Sequence, residues 1–380
     1  MPAKVAIEKC ADYEQVKVDA AVRSAVDALG GIGAFVKPGQ RVLLKPNLLS
    51  GKPVEKGVCT HPAVFRATVA LVREAGGDPF MGDSPGFGSA RRVAQKCGLL
   101  EAADELGVEV VNFTEAVEVD NPWSKVYPKL HIARQVVEAD AVINLCRVKS
   151  HGMMLMTMAV KNLFGCVVGL QKAKWHLDAA HNHRAFTEML LSVYKLANPV
   201  LSIADAIVAM EGNGPGAGTP RPLGFIAVSP DAVALDSVIG DIVGLKPQWN
   251  LTATLGGEMG FGEPDLSKID VSGPALAELR VDDFQFPRQG PPVEKRLPKI
   301  FDWLLGDAGV SRPEIDNGLC TRCSACIKTC PADAMALEEA GSEKFVRIDR
   351  KKCIHCFCCQ EVCPENAISP RPGWLARILK

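Results

Sequence analysis

Eight of the chain's fourteen cysteines fall into two runs near its C-terminal end, Cys320-x-x-Cys323-x-x-Cys326-x-x-x-Cys330-Pro331 and Cys353-x-x-Cys356-x-x-Cys359-x-x-x-Cys363-Pro364. Thiolates at this spacing suit iron–sulfur cubanes: three successive cysteines wrap one cluster, and the fourth, held by the following proline, reaches the other. The two runs then interlock. Cys320, Cys323, Cys326 and Cys363 are expected to hold one [4Fe-4S] cluster, and Cys353, Cys356, Cys359 and Cys330 a second. Zinc is the alternative, but structural zinc uses two separated Cys-x2-4-Cys knuckles and has no use for the third cysteine or the proline. Cys358 is surplus to the pattern, and Cys10, Cys59, Cys97, Cys146 and Cys166 are scattered as thiols are, with no disulfide framework.

A second set of chemically capable residues follows short apolar runs. Val-Leu-Leu after Arg41 leads into Lys45-Pro46-Asn47; Pro79-Phe-Met-Gly leads into Asp83-Ser84; Ala141 to Val148 leads into Lys149-Ser150-His151; Val200-Leu-Ser-Ile-Ala leads into Asp205. Ligands of open α/β sheets bind where strands end, so these residues are expected to share a pocket. Singly, each has a plainer role as a surface lysine, turn aspartate or helix cap. Lys149 and His151 are the candidates for proton chemistry, since histidine titrates near neutrality and desolvation lowers a lysine toward it; a cap of the next helix is the alternative for His151. Thr157 and Lys161 are one helical turn apart and would share a face, with Asn162 beside them. Cys166 and the methionines 153, 154, 156 and 158 read as core packing. Ser84 to Ser89 is a weak anion loop without a full phosphate-binding spacing. The glycine-dense loop Glu211 to Thr219 makes either a mobile lid or a close backbone approach. His176, His181 and His183 lack a completing acid or cysteine and suit surface or pocket-lining positions.

The elements that must position these residues alternate as in an α/β domain. Strands are expected at 4–9, 41–45, 79–82, 108–113, 140–146, 200–204 and 224–228, and helices at 16–29, 62–75, 89–97, 99–106, 155–169, 184–197 and 231–243. The topology of 247–285 is open apart from a short strand at Ile269-Asp270-Val271. The domain plan is an α/β unit over 1–286 with a large mixed or mostly parallel sheet and flanking helices, and a linker over 287–318 with a possible helix at 295–305. A small α+β ferredoxin-type unit follows over 319–370, repeated internally about its two cysteine runs, and then an amphipathic tail over 371–380.

With 380 residues, 47% hydrophobic content and a net charge of −1, the chain can bury a large core and has no basic block for nucleic acid. Its first residues have no apolar stretch of a secretory signal, and the run Met153 to Leu170 carries Lys161 and Asn162 near its middle, against a membrane span. A cytoplasmic location is the expectation.

The cysteine-rich module resembles the bacterial two-[4Fe-4S] ferredoxins. The rest resembles the domain of unknown function 362 family, through Lys45-Pro46-Asn47, Thr60-His61-Pro62, Gly82-Asp83-Ser84, Lys149-Ser150-His151 through Lys161-Asn162-Leu163-Phe164-Gly165, Asp205 with Met210 to Pro215, and Asp231 through Asp236. The resemblance implies that Lys45, Asn47, Lys149, His151, Lys161, Asn162, Asp205 and Asp236 belong to one pocket; it supplies no substrate. The resulting expectation is an oxidoreductase receiving single electrons from a ferredoxin or larger redox partner and passing them to a small molecule. Lys149, His151, Lys161 and Asp205 would act in catalysis, and Lys45, Asn47, Asp83, Ser84, Asn162 and Asp236 would hold the substrate or a cofactor. Fusion raises the clusters' effective concentration at the site, which favours catalysis. The rivals are a non-catalytic electron-transfer or adaptor subunit and a cluster or cofactor maturation factor; no flavin or nicotinamide fingerprint is present.

Overall fold

The computed structural model describes residues 2–169, 171–179, 182–287, 311–340 and 343–371. Its centre is a nine-stranded sheet formed by β1 (Ala3–Lys9), β2 (Arg41–Pro46), β3 (Asp78–Asp83), β4 (Glu109–Asn112), β7 (Ala141–His151), β8 (Leu155–Thr157), β9 (Leu201–Glu211), β10 (Thr219–Ser229) and β11 (Ile269–Ser272). The order is β11-β1-β10-β9-β7-β2-β3-β4, with β8 attached to β7 as a hairpin. From β9 to β4 neighbouring strands are parallel, while β10 runs antiparallel to both β1 and β9. The sheet is therefore mixed and mostly parallel, as expected. A separate hairpin, β5 (Ala116–Asp120) with β6 (Lys129–Ala133), lies outside it.

Alternation of side chains along the strands feeds two cores. Val42, Leu44 and Met81 face the helices Gln15–Asp27 and Pro62–Glu74, where Val18, Val22, Val64 and Phe65 are fully buried. Leu43 and Phe80 face the opposite way, toward the helices His183–Ala197 and Ala232–Ile242. Each such side chain contributes roughly 1.5–3 kcal/mol on burial. The helix starts have local causes: His61 Nδ1 accepts from Ala63 N with Pro62 in the first turn, and Asp231 accepts from Val233 N and Ala234 N.

Two expectations fail where distant contacts override local pattern. The apolar stretch 155–169 is not one helix. Leu155, at φ 59°, turns the chain into β8, and Ala159–Asn162 forms a single helical turn whose N–H groups at Ala159 and Val160 are taken by the carboxylate of Asp236. β7 and β9 also run well past 146 and 204, so Lys149, Ser150, His151 and Asp205 are strand residues and not loop residues beyond a strand end. The open region 247–285 contains a helix, Leu251–Glu258, and β11, which pairs parallel with β1. No helix among the described residues is long and apolar enough to cross a membrane.

The C-terminal unit is built from β12 (Arg312–Ile315) paired with β15 (Ile368–Arg371), β13 (Met335–Ala340) paired with β14 (Glu343–Ile348), and the short helices Ala325–Thr329 and Cys358–Glu361. β12 falls inside the stretch 287–318 expected to be a linker. Its ladder to β15 makes it part of the cysteine-rich fold, because pairing across the module depends on residues far outside the local window. The helix expected at 295–305 and nearly all of the tail over 371–380 lie outside the described residues.

Candidate functional site

The two cysteine runs fold alike. Arg322, Ser324, His355 and Phe357 all have positive φ, from 53° to 62°, so the chain curls on either side of Cys323 and Cys356 in the same way. Asp333 and Asn366 repeat the left-handed turn after each Cys-Pro. One small cavity is lined by Cys320, Cys323, Cys326 and Cys363, and another by Cys330, Cys353, Cys356 and Cys359. Each cavity thus gathers the four cysteines of one of the crossed sets expected from the spacing. Backbone N–H groups of Ala334 and Ala367 point at Cys330 Sγ (3.2 Å) and Cys363 Sγ (3.3 Å), donors of the kind that stabilise cluster thiolates. The residues present fit iron–sulfur clusters.

A much larger cavity, about 430 Å³, opens at the C-terminal ends of β2 and β3 beside the β7–β8 hairpin. Asn47, Asp83, Ser84, Lys149, His151, Thr157, Lys161 and Asn162 all line it. Thr157 and Lys161 reach it from β8 and from the helical turn that follows, not from one helix face. The loop Ser84 to Ser89 forms another wall, with Lys172 holding it by bonds to Ser84 O, Ser84 Oγ (2.8 Å) and Pro85 O (3.0 Å).

Beneath the cavity, fully buried Lys45 pairs with Asp83 at 3.0 Å, and Asp83 also accepts from Leu48 N and Ser84 N. Gly165 is required here: a Cβ on it would lie 2.0 Å from Asp83 Oδ1. Lys149 Nζ donates to Asn47 Oδ1 and to Val58 O (2.8 Å); burial pulls its pKa down to about 7. Lys161 and Lys172 are lowered by the same cause, Lys172 to about 8. His151 Nδ1 accepts from both Met153 N (3.1 Å) and Met154 N (3.2 Å), so in the neutral ring the proton sits on Nε2. Protonating Nδ1 would break both bonds, and burial lowers the pKa further.

Two expected members stand elsewhere. Asp205 is buried in the sheet as the partner of Arg147, and it also accepts from Tyr13 Oη (2.7 Å) and His61 N (3.1 Å). Asp236 accepts from Ala159 N (2.7 Å) and Thr252 Oγ1 (2.8 Å), capping the turn that carries Lys161. Burial raises the Asp236 pKa to about 7. Neither residue lines the cavity. Lys45 supports it from below through Asp83. Cys166 is a core thiol, fully buried and pushed up to about 12 by that burial.

Three lining residues escaped the sequence reading in whole or in part. Lys172 carried no motif. His176 is buried against Phe186 and is lowered to about 3 by desolvation. Glu361 comes from the cysteine-rich module, and its Oε1 lies 3.0 Å from His151 Nε2, off the line of a good hydrogen bond. Its position between Cys359 and Cys363 was the available signal, since one helical turn connects them. Cys358, Val362 and Thr329 of the same module also line the cavity.

The module is held to the α/β unit by further contacts. Lys52 Nζ donates to Gly216 O (2.7 Å) and to Asn366 Oδ1, and Gln360 Nε2 donates to Asn213 O (3.3 Å). The glycine-dense loop is thus a close backbone approach: a Cβ at Gly214 would fall 2.1 Å from Ser150 O.

Comparison with known proteins divides the chain the same way. Residues 42–241 match the Domain of unknown function (DUF362) and residues 312–364 a 4Fe-4S dicluster domain. The chain is 42% identical over 300 residues to the thylakoid-associated protein sll1697 of Synechocystis sp. (strain ATCC 27184 / PCC 6803 / Kazusa), covering 79% of this chain and 92% of that one. Among solved structures, the lactate racemase apoprotein of Thermoanaerobacterium thermosaccharolyticum is similar at 12% identity and a TM-score of 0.42, over 61% of this chain and 55% of that chain.

Proposed function

The chain belongs to the DUF362 family and carries a 4Fe-4S dicluster domain, and from that premise we propose an iron–sulfur oxidoreductase that passes single electrons to a substrate or cofactor in the shared cavity. The observation that carries this reading is that both units wall one cavity: Lys149, His151 and Lys161 face it from one side, and Cys358, Glu361 and Val362 from the other. Two [4Fe-4S] clusters, when bound, supply one-electron chemistry at a potential tuned by their hydrogen bonds and exposure. Thr329, Cys358 and Val362, chain neighbours of Cys330, Cys359 and Cys363, line the cavity, so both expected ligand sets have a member beside its wall.

The remaining roles belong to the chain's own side chains. Lys149, with a pKa near neutrality, can give up or take a proton at Nζ while Asn47 and Val58 O fix its position. His151 serves as a neutral ring, its proton on Nε2, that packs beside Glu361 at 3.0 Å. A ferredoxin or larger redox protein is the electron source in this reading.

The test is anaerobic. Protein reduced at both clusters is mixed with candidate acceptors, and reoxidation is followed by visible absorption and electron paramagnetic resonance. Lys149→Met and His151→Ala should keep the reduced-cluster signals and lose turnover. Undiminished turnover in both would remove the proposed roles, and transfer of clusters to an apo-acceptor would point to maturation instead.

A further inference from the structure

The cavity's charge is unbalanced in one direction. Lys149, Lys161, Lys172 and Lys328 line it, the first two buried, Lys172 half-buried and Lys328 exposed, with Lys45 buried beneath, against two carboxylates, Asp83 and Glu361. Both carboxylates are engaged, Asp83 by Lys45 and two backbone N–H groups and Glu361 by His151. The histidines add no compensating or further charge, because His151 Nδ1 accepts two N–H bonds and His176 is buried among aromatic rings.

The lysines' own contacts sharpen this. Among the described residues, Lys149 and Lys172 donate only to neutral oxygens. Lys161, 8% exposed, makes no hydrogen bond or ion pair among the described residues; the faces of Phe164 (5.1 Å) and Phe186 (5.7 Å) lie near its Nζ, and Glu361 attracts it only at longer range. A buried ammonium whose three N–H groups lack acceptors is costly, and a ligand oxygen is the partner that would relieve it. The space is larger than an inorganic ion needs, and Phe113 and Phe164 offer apolar surface for a carbon frame.

We propose that the cavity takes a small organic anion bearing two acidic groups, carboxylate or phosphate, with one group bound by Lys161 and Lys149 and the other received by Lys172. This rests on the reading of the cavity as the substrate site and names the substrate's class. Two acidic groups on the ligand answer the excess of lysines over carboxylates around the cavity, and charge-assisted bonds in a buried site are the strong ones.

The experiment uses the full chain, oxidised and cluster-loaded, in anaerobic titration calorimetry with succinate, pyrophosphate and the neutral succinamide as probes. At least one dianion should bind roughly tenfold or more tightly than succinamide, and Lys161→Met or Lys172→Met should weaken it by roughly tenfold or more, as loss of a buried charged partner does. Methionine fills the lysine's volume without its buried charge, and an unchanged cluster absorption spectrum verifies each variant. The tighter of succinate and pyrophosphate identifies the acidic group. Equal binding of succinamide, no binding of either dianion, or affinities untouched by both substitutions would overturn the proposal, the lysines then serving to offset the negative charge of the clusters. Binding of either anion as expected, in protein whose reduced clusters are reoxidised by no candidate acceptor, would refute electron delivery and leave this inference standing. Reduction of a neutral compound, uninhibited by either dianion, would do the reverse.

Discussion

His151 on β7 and Glu361 on the cysteine-rich module meet at 3.0 Å inside the cavity, joining the two units at the point where the candidate substrate site lies. With the one lone pair of Nδ1 shared between the N–H groups of Met153 and Met154, the ring is fixed in one tautomer, its Nε2–H beside the carboxylate but off the line of a good hydrogen bond. Glu361→Ala should therefore leave the clusters intact and loosen the docking. The expected readout is faster hydrogen exchange over 358–371 and 211–216, with an opening free energy lowered by about 1–3 kcal/mol, the range for a lost bond to a buried charged group. Unchanged exchange would show that Lys52 and Gln360 hold the module by themselves.

The buried Lys149 makes a prediction with a definite sign. Burial holds its pKa near 7, whereas in an unfolded chain it is about 10.4. Between those values the unfolded state binds the extra proton, so the penalty is full below the folded pKa and fades as pH rises toward the unfolded one. Relative to the native chain, Lys149→Met should be most favourable at pH 6 and lose that advantage by pH 10, seen as a difference in Tm of about 2–4 °C for each kcal/mol. A difference independent of pH would mean that Lys149 titrates as an exposed lysine does.

Asp236 is predicted to act through Lys161 without touching a ligand. Its carboxylate takes Ala159 N, Val160 N and Thr252 Oγ1, so Asp236→Ala leaves buried donors without acceptors and should cost about 1–3 kcal/mol. Dianion affinity should fall with it, while Asp236→Asn, which keeps an acceptor oxygen, should restore part of both. Equal loss in the two variants would show that the negative charge, and not the cap, is what matters.

The crossed cysteine sets predict a pattern of cluster loss. Cys363→Ala should remove a ligand from the set containing Cys320, and Cys330→Ala from the set containing Cys353, each lowering iron and sulfide content by about half. Cys358→Ser should keep both clusters. Loss of iron in Cys358→Ser as large as in Cys330→Ala would require a different ligand assignment.

Gly214 tests how tightly the glycine-dense loop is clamped. Its Cβ would meet Ser150 O at 2.1 Å, so Gly214→Ala should push the loop away from β7, at a cost of about 1–3 kcal/mol. Protection of Gln360 and its neighbours from exchange should drop in the same variant, because Asn213 O accepts from Gln360.

The sequence by itself determined the features whose causes are local. Spacing within each cysteine run grouped the eight sulfurs as the two small cavities do, and short apolar runs separated by amphipathic stretches specified most strands and helices and the mostly parallel sheet. Asn47, Asp83, Ser84, Lys149 and His151 were legible as a group because each stands at or near the end of an apolar segment, and Lys161 and Asn162 because they interrupt one. Tertiary structure decided the rest. Asp205 and Asp236 have the same local look as the cavity residues, yet Arg147 draws one into the sheet and the N–H groups of Ala159 and Val160 draw the other under a turn. The helical pattern over 155–169 lost to the β7–β8 hairpin and that same cap. That Glu361, Lys172 and His176 share a cavity with Lys149 depends on contacts between residues remote along the chain. Burial and charge pairing of that kind are properties of the packed molecule, and no local spacing encodes them.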